Sequence, residues 1–271
     1  MIKYKSMMKT FHIDLYDGHL ILEDNGIKVL VDTGCPVTIG KDTHIDFMGQ
    51  QYPCSTDFFG KGIPEISALM GYDVDVLMGL DLIVQFYVQT DYEKKEITFS
   101  TGIIPFESIC NVPIIQGGMG EVCVDLFVKG KCVRLALDTG AKISYIDEAF
   151  TNGETIIETR DDFNPLIGKF STPIYVMESS IGNQLFSVNF GKLPSVLARP
   201  LKMIGIYGAI GFDLFNNYTV LMDFKNNVLS LGYLYNELVE FFEKAKYDIL
   251  YSSASHAMCK IAEEKVRKDS A

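Results

Sequence analysis

Over the first 235 residues the hydrophobic positions come in short runs broken by Asp-Gly, Asn-Gly and Lys-Gly pairs, the pattern of short strands joined by tight turns. FHIDLY and HLILE flank Asp17-Gly18, and ILEDNG leads through Asn25-Gly26 into IKVLVD. Such pairs accept the positive φ angles of tight hairpins, so the pattern predicts a meander. The same shape returns as EVCVDLFV, then Lys129-Gly130-Lys131, then CVRLALD. Two runs are unbroken, VLV before Asp32 and LAL before Asp138, which predicts strands covered on both faces.

The period changes after residue 235. NELVEFFEKAKYDIL (236–250) places Leu238, Phe241, Phe242, Ala245 and Ile249 on one helical face behind an Asn236 cap. Ser252-Ser253 interrupts it, and Met258, Ile261 and Ala262 suggest a second helical stretch. Two roles stay open for this tail: packing on its own lobe, which is the default for an amphipathic surface helix, or mediating dimerisation.

Two segments repeat without gaps. IKVLVDTG (27–34) lies over VRLALDTG (133–140), an offset of 138 − 32 = 106. LMGLDLIVQFYVQTDYEKKEITFS (77–100) lies over AIGFDLFNNYTVLMDFKNNVLSLG (209–232), an offset of 132. In the second match Gly79 meets Gly211, Asp81 meets Asp213, and both copies end as strand, turn, strand. The offsets differ by 132 − 106 = 26, so the second copy carries an insertion between its landmarks. The chain therefore reads as two homologous lobes, 1–102 and 103–235, followed by a helical tail, 236–271. Pro105, Pro113 and Gly117-Gly118 form the connecting segment.

Composition narrows the function classes. At 48% hydrophobic and 22% charged residues, 271 residues can build a sizeable core. The formal charge of 24 − 35 = −11 argues against nucleic-acid or anionic-membrane surfaces, which need clustered Lys and Arg. The most apolar stretch, VLMGLDLIVQFYV (76–88), is too short to span a bilayer and carries Asp81, so no membrane insertion is expected. MIKYKSMMKTFHIDLYDGH has no apolar segment of the secretory kind, and six cysteines show no CxxC pair, so reduced thiols in a cytoplasmic setting are expected. Histidines 12, 19, 44 and 256 lack metal-ligand spacing and are expected on the surface, with no metal or cofactor required.

A lone Asp-Thr-Gly turns up by chance in roughly one chain in twenty of this length, and Asp-Gly alone merely marks turns. Two copies, each behind an apolar strand and each followed by a hydrophobic-Gly-hydrophobic-Asp landmark, are far more specific. On these residues the sequence resembles the aspartic peptidase family, the pepsin and retropepsin group, over about residues 12–100 and 120–232. The resemblance implies a mainly β, two-lobed acid-protease-like fold of internally duplicated, closed β-barrel lobes with the helical tail appended. It also implies that Asp32 and Asp138 form the catalytic pair and that Thr33 and Thr139 lock the two loops together. Gly34 and Gly140 would let the backbone turn beneath the carboxylates, and Gly79 and Gly211 match glycines of the ψ-loop. Two adjacent carboxylates cannot both ionise cheaply, so such a pair holds one proton and activates water for attack on a peptide bond.

The departures carry expectations too. Pepsin-type enzymes follow the triplet with Ser or Thr; here Cys35 and Ala141 follow it, the latter giving the retropepsin form DTGA. Loss of those hydroxyls should raise the apparent pKa of the pair and give a milder pH optimum. Cys35 reads as a small residue in preference to an oxidisable brake. Only 79 − 32 = 47 positions separate Asp32 from Gly79, which leaves no assignable flap hairpin in lobe one, with Tyr52 and Phe58-Phe59-Gly60 the nearest candidates. Lobe two has 211 − 138 = 73 positions, so it should supply the lid over a peptide or protein substrate. The competing reading is a non-catalytic, protease-like peptide-binding or scaffold protein, which the short first lobe suggests.

Overall fold

Pairs of residues with positive φ turn the chain at the places marked in the sequence: Asp17 (48°) with Gly18 (84°), Asn25 (53°) with Gly26 (82°), and Lys129 (52°) with Gly130 (75°). Two such residues in succession give the turn whose twist matches that of the flanking strands. The computed structural model describes residues 6–118 and 120–234. Its first strands are Met8–Tyr16 (β1), His19–Asp24 (β2), Ile27–Val31 (β3), Ile39–Gly40 (β4), His44–Phe47 (β5), Gln50–Pro53 (β6), Val76–Met78 (β7), Tyr87–Asp91 (β8) and Glu96–Ser100 (β9). Then follow Cys110–Pro113 (β10), Ile115–Gln116 (β11), Val122–Val128 (β12), Lys131–Leu137 (β13), Ser144–Ile146 (β14), Glu158–Asn164 (β15) and Gly168–Ile181 (β16). The last are Gln184–Lys192 (β17), Gly208–Ile210 (β18), Thr219–Asp223 (β19) and Val228–Gly232 (β20). Helices are short: Ile63–Met70 (α1), Leu80–Ile83 (α2), Glu148–Thr151 (α3), Ser195–Met203 (α4) and Phe212–Asn217 (α5).

The fold is mainly β and two-lobed, and its halves repeat one plan. β3 pairs in parallel with β7 (Val31↔Met78), while β4 pairs antiparallel with the same strand (Ile39↔Leu77). β13 pairs in parallel with β18 (Leu137↔Ile210), and β14 pairs antiparallel with it (Tyr145↔Ala209). The unbroken apolar runs before each aspartate are thus inner strands: VLV is buried at all three positions, while LAL buries Leu135 and Leu137 and leaves Ala136 half-buried. The second repeat forms the hairpins β8–β9 and β19–β20, whose turns place Lys95 (55°) and Asn227 (55°) in the same left-handed conformation, 132 positions apart. β19 pairs with β8 from Val220↔Thr90 to Asp223↔Tyr87, so one ten-stranded sheet runs through both halves.

The ladder of the second half closes on itself, because β12 pairs with both β13 and β16 (Phe127↔Ser180). In the shorter first half the ladder ends at the two-residue β4. One apolar cluster passes through both halves, from Phe47 and Phe99 to Leu135, Phe190 and Phe215. Burying each such ring contributes about 1.5–3 kcal/mol, so the halves share their stability instead of splitting it. Residues up to Gly232 make one compact unit.

Two hairpins decide where a lid can stand. The first half does contain one, β5–β6, where no hairpin was assignable from sequence. Its turn is pinned down: Phe47 and Met48 lie in the core, and the Met48 N–H donates to buried Asp24 Oδ2 (2.9 Å). The insertion in the second half supplies the other, β15–β16, with seven paired positions from Glu158↔Ile174 to Asn164↔Gly168. The helices expected at 236–250 and near 258–262 lie outside the described residues. Among the described residues, no helix is long and apolar enough to cross a membrane.

Candidate active site

Each Asp-Thr-Gly follows an inner strand and is threaded against its own glycine landmark. The Asp32 N–H donates to the Met78 carbonyl and the Asp138 N–H to that of Ile210, both at 3.0 Å. One turn further on, the Leu80 N–H donates to the Cys35 carbonyl (2.9 Å) and the Phe212 N–H to that of Ala141 (3.0 Å). These bonds bring the loops so close to Gly79 and Gly211 that no side chain fits. A Cβ on Gly79 would overlap the Val37 backbone, and one on Gly211 would lie 2.8 Å from Ala141 Cβ.

A second pair of supports is also duplicated. Thr38 Oγ1 donates to Asp81 Oδ1 (2.6 Å) and accepts from the Gly79 N–H (3.1 Å). Ser144 Oγ donates to Asp213 Oδ2 (2.7 Å) and accepts from the Gly211 N–H (3.2 Å). The repeat alignment paired Asp81 with Asp213 but gave neither a role. The signal was present, since 144 − 38 = 106 is the offset of the tripeptides.

The two loops meet at their threonines. The Thr33 N–H donates to Thr139 Oγ1 (3.0 Å), and the Thr139 N–H donates to Thr33 Oγ1 (2.9 Å). Each hydroxyl then donates across to the other half, Thr33 Oγ1 to the Leu137 carbonyl (2.7 Å) and Thr139 Oγ1 to that of Val31 (2.8 Å). Both threonines are buried, so the four bonds are shielded from competing water. Gly34 and Gly140 flank the carboxylates reciprocally: a Cβ on Gly34 would land on the Asp138 carboxylate, and one on Gly140 on that of Asp32. All eight residues singled out from the sequence therefore converge on one site.

The Asp32 and Asp138 carboxylates each lie against the other loop's glycine, and both remain partly exposed above the buried threonines. Asp32 Oδ1 accepts from the N–H groups of Gly34 (2.8 Å) and Cys35 (3.1 Å), and Asp138 Oδ1 accepts from Gly140 (2.9 Å). Those bonds favour ionisation, yet desolvation outweighs them and lifts Asp32 above the usual carboxylate range. Desolvation and then the charge of Asp32 lift Asp138 well above it. The pair accordingly holds one proton between its two carboxyls, and the titration belongs to the pair and not to either residue.

Cys35 sits beside this pair with its Sγ donating to the Val37 carbonyl (3.2 Å). Burial and the neighbouring Asp32 push its thiol up to about 12, so it stays protonated and inert, in keeping with a small-residue role.

Residues to which sequence reasoning assigned no part in the site border the second loop. His12 and His44 are exposed as expected, and His256 lies outside the described residues, but His19 is only 5% exposed. The surface assignment fails there because His19 opens β2, an inner strand whose first positions face the core. Its Nδ1 lies 2.8 Å from the Gly140 carbonyl, and its ring packs against Phe163 of β15, with centroids 5.5 Å apart. Next to Phe163, Asp162 accepts from the Tyr145 hydroxyl (2.5 Å) and faces Lys142 Nζ at 3.8 Å. Lys142 also donates to Asp17 (2.6 Å). A cavity of about 410 Å³ opens here, lined by Asp17, Met70, Lys142, Asp162, Phe163 and Ser171. Phe163 further packs on the first-half cluster of Ile21, Ile66 and Met70, so the tip of the β15–β16 hairpin bridges the two halves. Nothing in a single sequence pairs residue 19 with residue 163; the contact arises from the fold.

No protein-family model matches the sequence, and no curated protein sequence matches it. Among solved structures, the chain is similar to an aspartic proteinase from Irpex lacteus, with 11% identity and a TM-score of 0.49 over 84% of this chain and 98% of that one. It is also similar to the simian foamy virus (mac) protease in solution, with 18% identity and a TM-score of 0.26 over 33% of this chain and 86% of that one.

Proposed function

We propose that the chain is a single-chain aspartic endopeptidase that hydrolyses extended peptides at Asp32 and Asp138. The observation that carries this reading is the convergence of two partly exposed carboxylates, each against the other loop's glycine, at the junction of the two repeats. A water held between them loses a proton to Asp32 as its oxygen attacks the scissile carbonyl carbon, while Asp138 donates its proton to the carbonyl oxygen. The tetrahedral diol then collapses. Asp138 recovers its proton from a hydroxyl, Asp32 passes its own to the amide nitrogen, and the C–N bond breaks. No step needs a metal or cofactor, since the two carboxyls handle every proton. The β15–β16 hairpin is the lid in this reading, supported by its origin in the 26-residue offset difference and by the seat of Phe163 on the first half. We also assign the protein to a reducing, cytoplasmic setting, supported by the unpaired thiols of Cys35, Cys54, Cys110, Cys123 and Cys132.

The test is incubation with a random peptide library across about pH 3–8, beside Asp32→Asn and Asp138→Asn variants. Cleavage lost in either variant supports the peptidase. Folded protein that cleaves nothing at any pH favours the scaffold reading instead.

The direction of the carboxyl shifts also fixes the shape of the pH profile. Activity needs one proton on the pair, so the rate rises as the first proton leaves and falls as the second does. Burial raises both carboxyls, which moves the whole bell toward neutrality. The expected optimum of kcat/KM therefore lies well above about pH 2, and fastest cleavage at that acidity would refute the assignment of a desolvated pair.

A further inference from the structure

Three elements meet on one imidazole. His19 lies at the start of β2, its Nδ1 reaches the Gly140 carbonyl at 2.8 Å, and its ring faces Phe163 of the β15–β16 hairpin. A carbonyl oxygen can only accept, so Nδ1 carries the hydrogen and the neutral ring bears its lone pair on Nε2. That Nε2 is buried and takes no partner among the described residues. An apolar ring would fill the same space without leaving a buried nitrogen unmet, so packing alone does not account for histidine here. Around the ring stand Asp162 from β15, Lys142 from the second loop and Asp32 from the first. Burial lowers its affinity for a second proton, which keeps the ring neutral and the tautomer fixed.

The bond to Gly140 has a direct consequence for the dyad. The Gly140 N–H is the donor held on Asp138 Oδ1 (2.9 Å), and its carbonyl is the group that His19 anchors. Fixing one end of this residue fixes the donor at the other. We infer that His19 is a positioning residue: it holds the loop presenting Asp138 in register with the β15–β16 hairpin, so that seating of Phe163 and alignment of the dyad occur together. The inference deepens the peptidase reading, and its first measurement does not depend on that reading.

Two substitutions separate the donor from the ring. His19→Phe keeps an aromatic ring against Phe163 and removes the donor. His19→Asn removes the ring but places an amide N–H where Nδ1 stood. In the full chain, the carboxyl carbons of labelled aspartates are titrated by NMR, and peptide cleavage is measured alongside. His19→Phe is expected to titrate the upper step of the dyad about half a pH unit higher, because a hydrogen bond to the charged form is loosened. Its kcat should fall about tenfold with KM within about threefold, the loss expected for a misaligned reacting group. His19→Asn should return both the titration and kcat to wild-type behaviour while raising KM, since the lid loses its seat. If His19→Phe does not fold, His19→Gln, whose amide sits at the Nε2 position, is read in its place as the variant without the donor. Titration and kcat unchanged in the variant without the donor would overturn the inference, as would equal damage in His19→Asn. A wild type that cleaves nothing but shows the titration difference would sink the peptidase reading and leave this one standing.

Discussion

Asp138→Asn will unfold at a higher temperature than the wild type at pH 7 while cleaving peptide at least about 10³-fold more slowly. The two effects have one cause. Folding raises the Asp138 carboxyl well above its usual range, by desolvation and by the charge of Asp32. A carboxyl raised by folding binds its proton more tightly in the folded chain than in the unfolded one. Its contribution to stability is therefore complete below the unfolded value, about 3.9, and is lost as pH climbs through the folded value. Each pK unit of that gap is about 1.4 kcal/mol forfeited at neutral pH. Asparagine has the same shape, carries no charge and donates its amide hydrogen to Asp32, so the penalty disappears together with the proton that catalysis uses. The gain should grow from about pH 4 upward and vanish near about pH 3, where the wild-type carboxyls are protonated in both states. Melting curves at three pH values check it. Asp32→Asn should show the same trend, since burial raises its carboxyl as well. A loss of stability at pH 7 in Asp138→Asn would mean that the two carboxylates do not face one another.

How much of this was legible beforehand follows from what kind of contact each residue makes. The Asp-Thr-Gly loops were readable because duplication writes the same local requirement twice: an inner strand, a polar turn, and a glycine landmark 47 or 73 positions later. Hairpins were readable because Asp17-Gly18, Asn25-Gly26 and Lys129-Gly130 satisfy a backbone need that depends on no distant partner. Even the source of the long hairpin was visible, as a difference between two offsets. The failures are all tertiary. His19 looks like any polar residue at a strand start until the fold brings residue 140 to its ring nitrogen and residue 163 to its face. The β5–β6 hairpin was missed because the first residue of its turn, Met48, is apolar and buried in the core, which leaves Gly49 alone to mark the turn. Thr38 and Ser144 lay at the repeat offset all along, but a hydroxyl after a turn carries no meaning until the glycine N–H above it is placed.

Thr33→Val is expected to destabilise the protein by about 2–5 kcal/mol, while Thr33→Ser costs about 1 kcal/mol. Valine has nearly the volume of threonine, so no cavity forms and the difference isolates the hydroxyl. That oxygen accepts the Thr139 N–H (2.9 Å) and donates to the Leu137 carbonyl (2.7 Å). Both backbone groups are left buried without a partner in the valine variant, at about 1–3 kcal/mol each. Serine keeps both bonds and loses one methyl. Thr139→Val should match Thr33→Val, because its hydroxyl makes the mirror pair of bonds to the Thr33 N–H and the Val31 carbonyl. The double variant should cost less than the sum, by about 0.5–3 kcal/mol: once one threonine has let water into the junction, the second leaves groups that are already hydrated. Urea unfolding of the four variants measures this directly. Cleavage should fall with it, about 10²-fold for a displacement of the carboxylates near 1 Å, even where the valine variants stay folded. Equal stability of Thr33→Val and Thr33→Ser would show that the two halves are joined by the shared sheet alone, and that the spacing of Asp32 and Asp138 is set elsewhere.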